Sequence, residues 1–155
     1  MLNTRAPEFS LESSTGQQVT LHDLLGSFVV LIFYPINDTP ICNSQLKEAS
    51  LNLQQFLEVN ARVFGINTAA PAKQREYCMR KKLDFPILSD PGGKVAKKFK
   101  AHMVWLPFNL RTVVVVDPQG EVCYFKRGKP SAHEILEAIN AQSATLRAKI
   151  PDEAG

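Results

Sequence analysis

FYPINDTPIC, residues Phe33 to Cys42, carries a single cysteine out of an apolar run and into the start of a helix. Upstream, Phe28 to Tyr34 (FVVLIFY) is a continuous run of β-branched and aromatic residues, the pattern of a strand buried on both faces. Downstream, Thr39 suits a helix N-cap, and Pro40 suits the first helical position, where its missing N–H costs nothing. Counting from that cap puts Cys42 at the third helical position. A sulfur there lies near unpaired N–H groups and the positive end of the helix dipole, which favour thiolate over thiol and make the cysteine a nucleophile. The alternative is a buried cysteine acting as a small hydrophobe. The cap, the proline and the strand-to-helix junction together favour the reactive reading.

The rest of the composition sets bounds. With 155 residues and 45% hydrophobic content, the chain is expected to form one domain, residues 1–155, whose core needs neither disulfide staples nor a structural metal. The net charge of +3 is spread along the chain, with short clusters only at Arg80-Lys81-Lys82 and Lys97-Lys98, so no nucleic-acid partner is expected. MLNTRAPEFSLES contains no apolar segment of signal-peptide length, and no later run approaches a membrane span; a cytoplasmic location is the resulting expectation. In a reducing compartment three cysteines do not read as a structural framework. His22, His102 and His133 are scattered, with no Cys/His pair at metal-ligand spacing, so no metal or other cofactor is expected.

In chain order the pattern predicts an α/β domain. Phe9 to Ser13 and Gln18 to Thr20 flank Ser14-Thr15-Gly16 as a short hairpin. A helical turn over Leu21 to Leu25 is stopped by Gly26. The central strand follows, then a helix from Pro40 to about Val59 burying Leu46, Leu53, Phe56 and Leu57. Arg62 to Asn67 is the next strand, and strand, helix, strand of this length implies a parallel right-handed crossover. Pro71 opens a second helix carrying Cys78, Phe85 to Leu88 is a short strand, and Gly92-Gly93 begins a short helix through Phe99. His102 to Leu110 is an apolar loop. Thr112 to Val116 and Val122 to Lys126 flank the turn Asp117-Pro118-Gln119-Gly120 as an antiparallel hairpin. A last helix runs from Ala132 to about Arg147, packing Ile135, Leu136 and Ile139, and the tail from Pro151 is expected to fray.

Pro35-x-x-x-Thr39-x-x-Cys42, and the string TPxC within it, resembles the active-site pattern of the peroxiredoxins, most closely their Q-type or bacterioferritin-comigratory branch. Phe85-Pro86-x-Leu88-x-Asp90 and Gly93-Lys94-Val95-Ala96 resemble that branch's FPxLSD and GKVA segments. Arg111 stands six residues before Asp117, as the family's active-site arginine does. The resemblance covers the chain from about Pro7 to the final helix. It implies a thioredoxin-like fold: a central mixed sheet flanked by helices, with an N-terminal hairpin. It also implies that Cys42 attacks the peroxide O–O bond, that the Thr39 hydroxyl positions the peroxide, that Pro35 shields the sulfur and that Arg111 holds thiolate and peroxide oxygen. Val113 and Val114 depart from the threonine and phenylalanine common in the family, a difference expected to alter packing and not chemistry.

The sulfenic acid so formed needs a second thiol. Many Q-type members carry it five residues after the first cysteine, where this chain has Lys47. Another subgroup places it on the second helix, and by that resemblance Cys78 is the resolving cysteine; a packing role for Cys78 is the alternative. Cys123 is expected to be buried in its hairpin strand. Gln45 either orients Arg111 or is an exposed helix residue. Trp105, Leu106, Pro107 and Phe108 form an apolar collar at the peroxide entrance, a docking surface or a loop covering the core. The resulting expectation is a monomeric thiol-dependent peroxidase acting on hydroperoxides and reduced by thioredoxin or a similar dithiol protein. Cys42 has no Cys-x-x-Cys partner, which disfavours a disulfide reductase. A non-catalytic interaction or chaperone module on the same fold is the remaining alternative.

Overall fold

The computed structural model describes residues 1–103 and 105–149, so the expected fraying from Pro151 lies outside the described residues. The hairpin forms as β1 (Ser10–Glu12) and β2 (Gln18–Thr20), paired antiparallel. A five-stranded sheet follows from β3 (Phe28–Phe33), β4 (Ala61–Asn67), β5 (Ile87–Ser89), β6 (Thr112–Val116) and β7 (Val122–Arg127), ordered β5-β4-β3-β6-β7. β3, β4 and β5 run parallel, β6 returns antiparallel to β3, and β7 turns back antiparallel to β6 and so along the direction of β3. All six residues of β3 are buried, as a central strand covered on both faces requires.

Alternation along β3 sorts the core into two layers. Phe28, Val30, Ile32 and Tyr34 pack with Leu46 and Ala49 of α2 (Pro40–Leu51), Phe56 of α3 (Leu53–Glu58), Tyr77 of α4 (Pro71–Lys81) and Ile135 and Ile139 of α6 (Ala132–Lys149). Val29, Leu31 and Phe33 face the other layer, made by α1 (Leu21–Leu24), α5 (Lys94–Lys98), Phe9 and Phe99. Gly65 in β4 gives Tyr34 its place: a Cβ there would lie 3.2 Å from the tyrosine ring and 3.3 Å from Ile87.

The helix expected from Pro40 to Val59 is in fact two. Asn52 leaves the helical region (φ −104°, ψ 11°), and its side-chain amide donates to the Glu48 carbonyl at 2.8 Å. That local bond offers the backbone an alternative to the continuing helix. The break also corrects the buried face: Phe56 is buried, whereas Leu57 is 52% exposed. Two motif segments prove to be scaffold. The Asp90 carboxylate accepts the backbone N–H groups of Val95 and Ala96 (3.0 and 2.9 Å). Asp117 accepts those of Gln119 and Glu121 (2.9 and 3.0 Å), closing the β6–β7 turn.

Candidate active site

Cys42 is delivered by the end of β3. Pro35 to Thr39 turn the chain, Asp38 adopting a positive φ of 62°, and Thr39 is the N-cap of α2 with extended backbone (φ −111°, ψ 151°). Pro40 is the first helical residue, so Cys42 is the third, and its side chain is 1% exposed. The Thr39 carbonyl accepts the Asn43 N–H at 2.8 Å, but its hydroxyl makes no capping hydrogen bond. The cap is in place by backbone geometry, which leaves the hydroxyl uncommitted.

Arg111 immediately precedes β6, whose Thr112 is paired with Phe33, so the register brings the arginine beside the β3 exit. Its Nη2 donates to Cys42 Sγ at 3.3 Å and its Nη1 to Gln45 Oε1 at 2.9 Å. Gln45, one turn beyond Cys42, is buried. Because arginine only donates, this contact fixes the amide with its oxygen toward the guanidinium. The arrangement is a planar cation forked between a helix anchor and a buried sulfur. Such a group holds the charge of a thiolate and can donate to an oxygen brought against that sulfur.

Pro35 is half-buried and lines a cleft of about 360 Å³ together with Ile36, Asn37, Tyr77, Pro107 and Phe108. Trp105 is 91% exposed and Leu106 46%, so those two do not cover the core. Cys78 is half-buried on α4. Its thiol donates to Ser14 Oγ at 3.5 Å at the edge of a second cleft with Thr15, Met79 and Phe85, and burial pushes it up. Cys123 is half-buried in β7, its thiol pushed up to about 12 by burial and then by the nearby Asp117 carboxylate. All three cysteines are free.

Residues 2–125 match the AhpC/TSA family. The chain belongs to that family. Over 143 residues it is 30% identical to the peroxiredoxin bcp of Helicobacter pylori, an alignment covering 86% of this chain and 94% of that protein. Over 125 residues it is 34% identical to the chloroplastic peroxiredoxin Q of rice, covering 77% of this chain and 55% of the longer rice protein. The crystal structure of the peroxidoxin BcpB from Mycobacterium tuberculosis superimposes with a TM-score of 0.82 at 30% identity, covering 91% of this chain and 98% of that one. The sheet described above is therefore the thioredoxin-like fold of the peroxiredoxins, and the chain is a thiol peroxidase.

The candidate site joins Cys42, Arg111 and Gln45 by direct hydrogen bonds and sets Thr39 at the cap; Cys78 faces a different cleft. Sequence reasoning passed over Asp38, Asn43 and Tyr77, which tie the Cys42 turn to α4. The Tyr77 hydroxyl donates to Asn43 Oδ1, and Asp38 pairs with Arg80 at 2.8 Å and Lys81 at 3.2 Å. The separations of 34 and 42 residues give no local signal for these contacts. The only sequence hint lay in Asp38 itself, a turn-forming residue that tolerates positive φ.

Proposed function

We propose that this peroxiredoxin reduces hydrogen peroxide and organic hydroperoxides through Cys42, with Cys78 as resolving thiol and thioredoxin or a similar dithiol protein as reductant. The Arg111 contact to Cys42 Sγ carries the reading, because it couples the buried sulfur to a cation that can also receive the peroxide. The Cys42 thiolate attacks one oxygen of ROOH: an S–O bond forms, the O–O bond breaks, and the RO⁻ leaving group takes up a proton to depart as ROH. Arg111 stabilises the charge moving from sulfur to leaving oxygen, the Thr39 hydroxyl donates to the peroxide, and Pro35 keeps water from the sulfur. The Cys78 sulfur then attacks the sulfenic sulfur; an S–S bond forms, the S–O bond breaks, and water leaves. Two electrons from the dithiol partner restore both thiols.

An internal resolving thiol lets one chain complete the cycle, so the peroxiredoxin works as a monomeric single domain. A disulfide that must be reduced in every cycle fits a reducing compartment such as the cytoplasm. The test is hydroperoxide consumption coupled to a thioredoxin system. The native chain should turn over, and Cys42→Ser should be inactive. Turnover by Cys42→Ser would remove Cys42 from the chemistry, and peroxide consumption without thioredoxin turnover by the native chain would remove the proposed reductant.

A further inference from the structure

Gln45 is committed on one side only. Its Oε1 accepts from Arg111 Nη1 at 2.9 Å, which turns its Nε2 away from the guanidinium. That nitrogen is buried and finds no hydrogen-bond partner among the described residues. Buried donors in folded proteins are satisfied by protein or by ordered water, because leaving one unpaired costs free energy. Gln45 borders a cavity of about 10 Å³, close to the least that holds one water. Apart from Gln45 and Glu48 the side chains lining it are apolar, Ile32, Phe56, Val113 and Ile135 among them. Val113 stands where the family commonly has threonine, so that wall offers no hydroxyl. Glu48 lies one turn beyond Gln45 on the same face of α2 and is half-buried. Its Oε1 accepts the Ala132 N–H at the start of α6 at 2.6 Å, which leaves Oε2 for a second donor.

We propose that Glu48 is a positioning residue for Arg111, acting through one buried water that accepts from Gln45 Nε2 and donates to Glu48 Oε2. This rests on the reading of Arg111 as the group that holds thiolate and peroxide. A water in that cavity has the two polar partners it needs. Glu48 is itself held by the Ala132 backbone, so a line of polar contacts runs from the start of α6 to the guanidinium beside Cys42. The line fixes the Gln45 amide in one orientation: reversed, its NH2 group would face a guanidinium that only donates. Donating to a water bound by a carboxylate also makes the amide oxygen a stronger acceptor for Arg111. With the line broken, the NH2 group is satisfied only by turning the amide. Arg111 then loses the anchor that keeps its other terminal nitrogen on the sulfur. Glu48 touches neither Cys42 nor the peroxide, and its whole effect passes through Gln45 and Arg111.

In the reduced native chain, the Gln45 side-chain amide protons should give an NMR cross-peak to a long-lived water, and its absence overturns the water. Stopped-flow rates of peroxide attack should fall by roughly two- to tenfold in Glu48→Ala, the scale of one hydrogen bond. Glu48→Ala also removes an acceptor from the start of α6, so the deciding readout is coupling. It should slow the native chain and leave Arg111→Lys no slower, whereas the same drop in both backgrounds would make Glu48 a structural residue only. Val113→Thr sets a hydroxyl of similar size in the cavity wall, within reach of the same water. Added to Glu48→Ala it should restore the rate, which it would not do if the loss came from the α6 contact. If Glu48→Ala folds poorly, Val113→Thr alone decides. Its denaturant midpoint should match the native one, and the drop expected of an unpartnered buried hydroxyl would overturn a watered cavity. The two readings fail separately: a native rate in Arg111→Lys overturns the role of Arg111. A slow Arg111→Lys beside a native rate in Glu48→Ala overturns the positioning role alone.

Discussion

Cys42 and Cys78 pack against one apolar layer, yet their surroundings are of opposite kinds. Cys42 is sealed from solvent with a guanidinium 3.3 Å from its sulfur. Cys78 opens on a cleft, bonds a neutral hydroxyl, and is pushed up by burial. The difference teaches what each step demands. A peroxide-attacking sulfur must be anionic and must have a partner for the charge it releases, whereas a resolving sulfur must chiefly be reachable once the other has reacted. A thiol on which burial holds the proton is also slow to meet peroxide itself. Cys123, pushed up to about 12 by burial and then by the Asp117 carboxylate, lacks the first property.

The strongest way to break the comparison is to delete its weaker half. Cys78→Ser should consume one equivalent of peroxide to form sulfenic acid and then fail to turn over with thioredoxin, a second equivalent carrying it to sulfinic acid. In the native chain, peptide mapping after oxidation should recover Cys123 as a free thiol. Sustained thioredoxin-dependent turnover by Cys78→Ser, or a mapped Cys42–Cys123 bond, would make Cys78 a packing residue.

Arg111→Lys attacks the other half. A point charge cannot donate to Gln45, the sulfur and an incoming oxygen in one plane. Stopped-flow rates of peroxide attack should fall by more than tenfold, or about 1.4 kcal/mol of transition-state stabilisation. A native rate in that variant would show that charge alone suffices and that the fork is incidental.

Much of this contrast was legible in the sequence because it depends on local chemistry. The FVVLIFY run, the Thr39-Pro40 start and the Asp117–Gly120 turn each carry their own backbone instructions, whereas the mixed sheet that joins them was legible through resemblance. Arg111 and Cys42 are 69 residues apart, so their meeting was legible only through resemblance; Gln45, left open between two roles, is settled geometrically by its contact with Arg111. The break at Asn52 escaped because the apolar period runs on through Phe56, while a single side-chain amide diverts the backbone. The Asp38 and Tyr77 contacts escaped because polar pairs across helices leave no period at all.

Thr39→Val sharpens the account of the Cys42 side with a smaller effect. An N-cap hydroxyl ordinarily stabilises by about 1 kcal/mol, but Thr39 makes no such bond, so the loss measured by denaturant should fall below that figure. The peroxide rate should still drop, because the uncommitted hydroxyl is the donor proposed for the substrate. Lost stability with an unaltered rate would reverse the assignment and return Thr39 to a structural role.

The smallest effect concerns the tie between the two halves. Hydrogen bonds from Arg80, then Asn43 and Lys81, hold the Asp38 carboxyl down from its ordinary value to about 2. A carboxylate that binds its proton less readily in the folded state stabilises that state fully above its unfolded value, near 3.9, and loses the contribution as pH falls through the folded one. The tie should therefore be intact at neutral pH and through mild acid, and should loosen only between about pH 4 and 2. Carbon-13 titration of the Asp38 carboxyl should give the low midpoint directly, and Arg80→Gln should raise it, since the first and largest cause is removed. A native midpoint near 3.9, or one that Arg80→Gln leaves in place, would mean that Asp38 is not held by α4 in solution. The Cys42 turn would then be free to open without breaking these pairs, and the closed, cation-paired state would depend on Arg111 and the Tyr77–Asn43 bond alone.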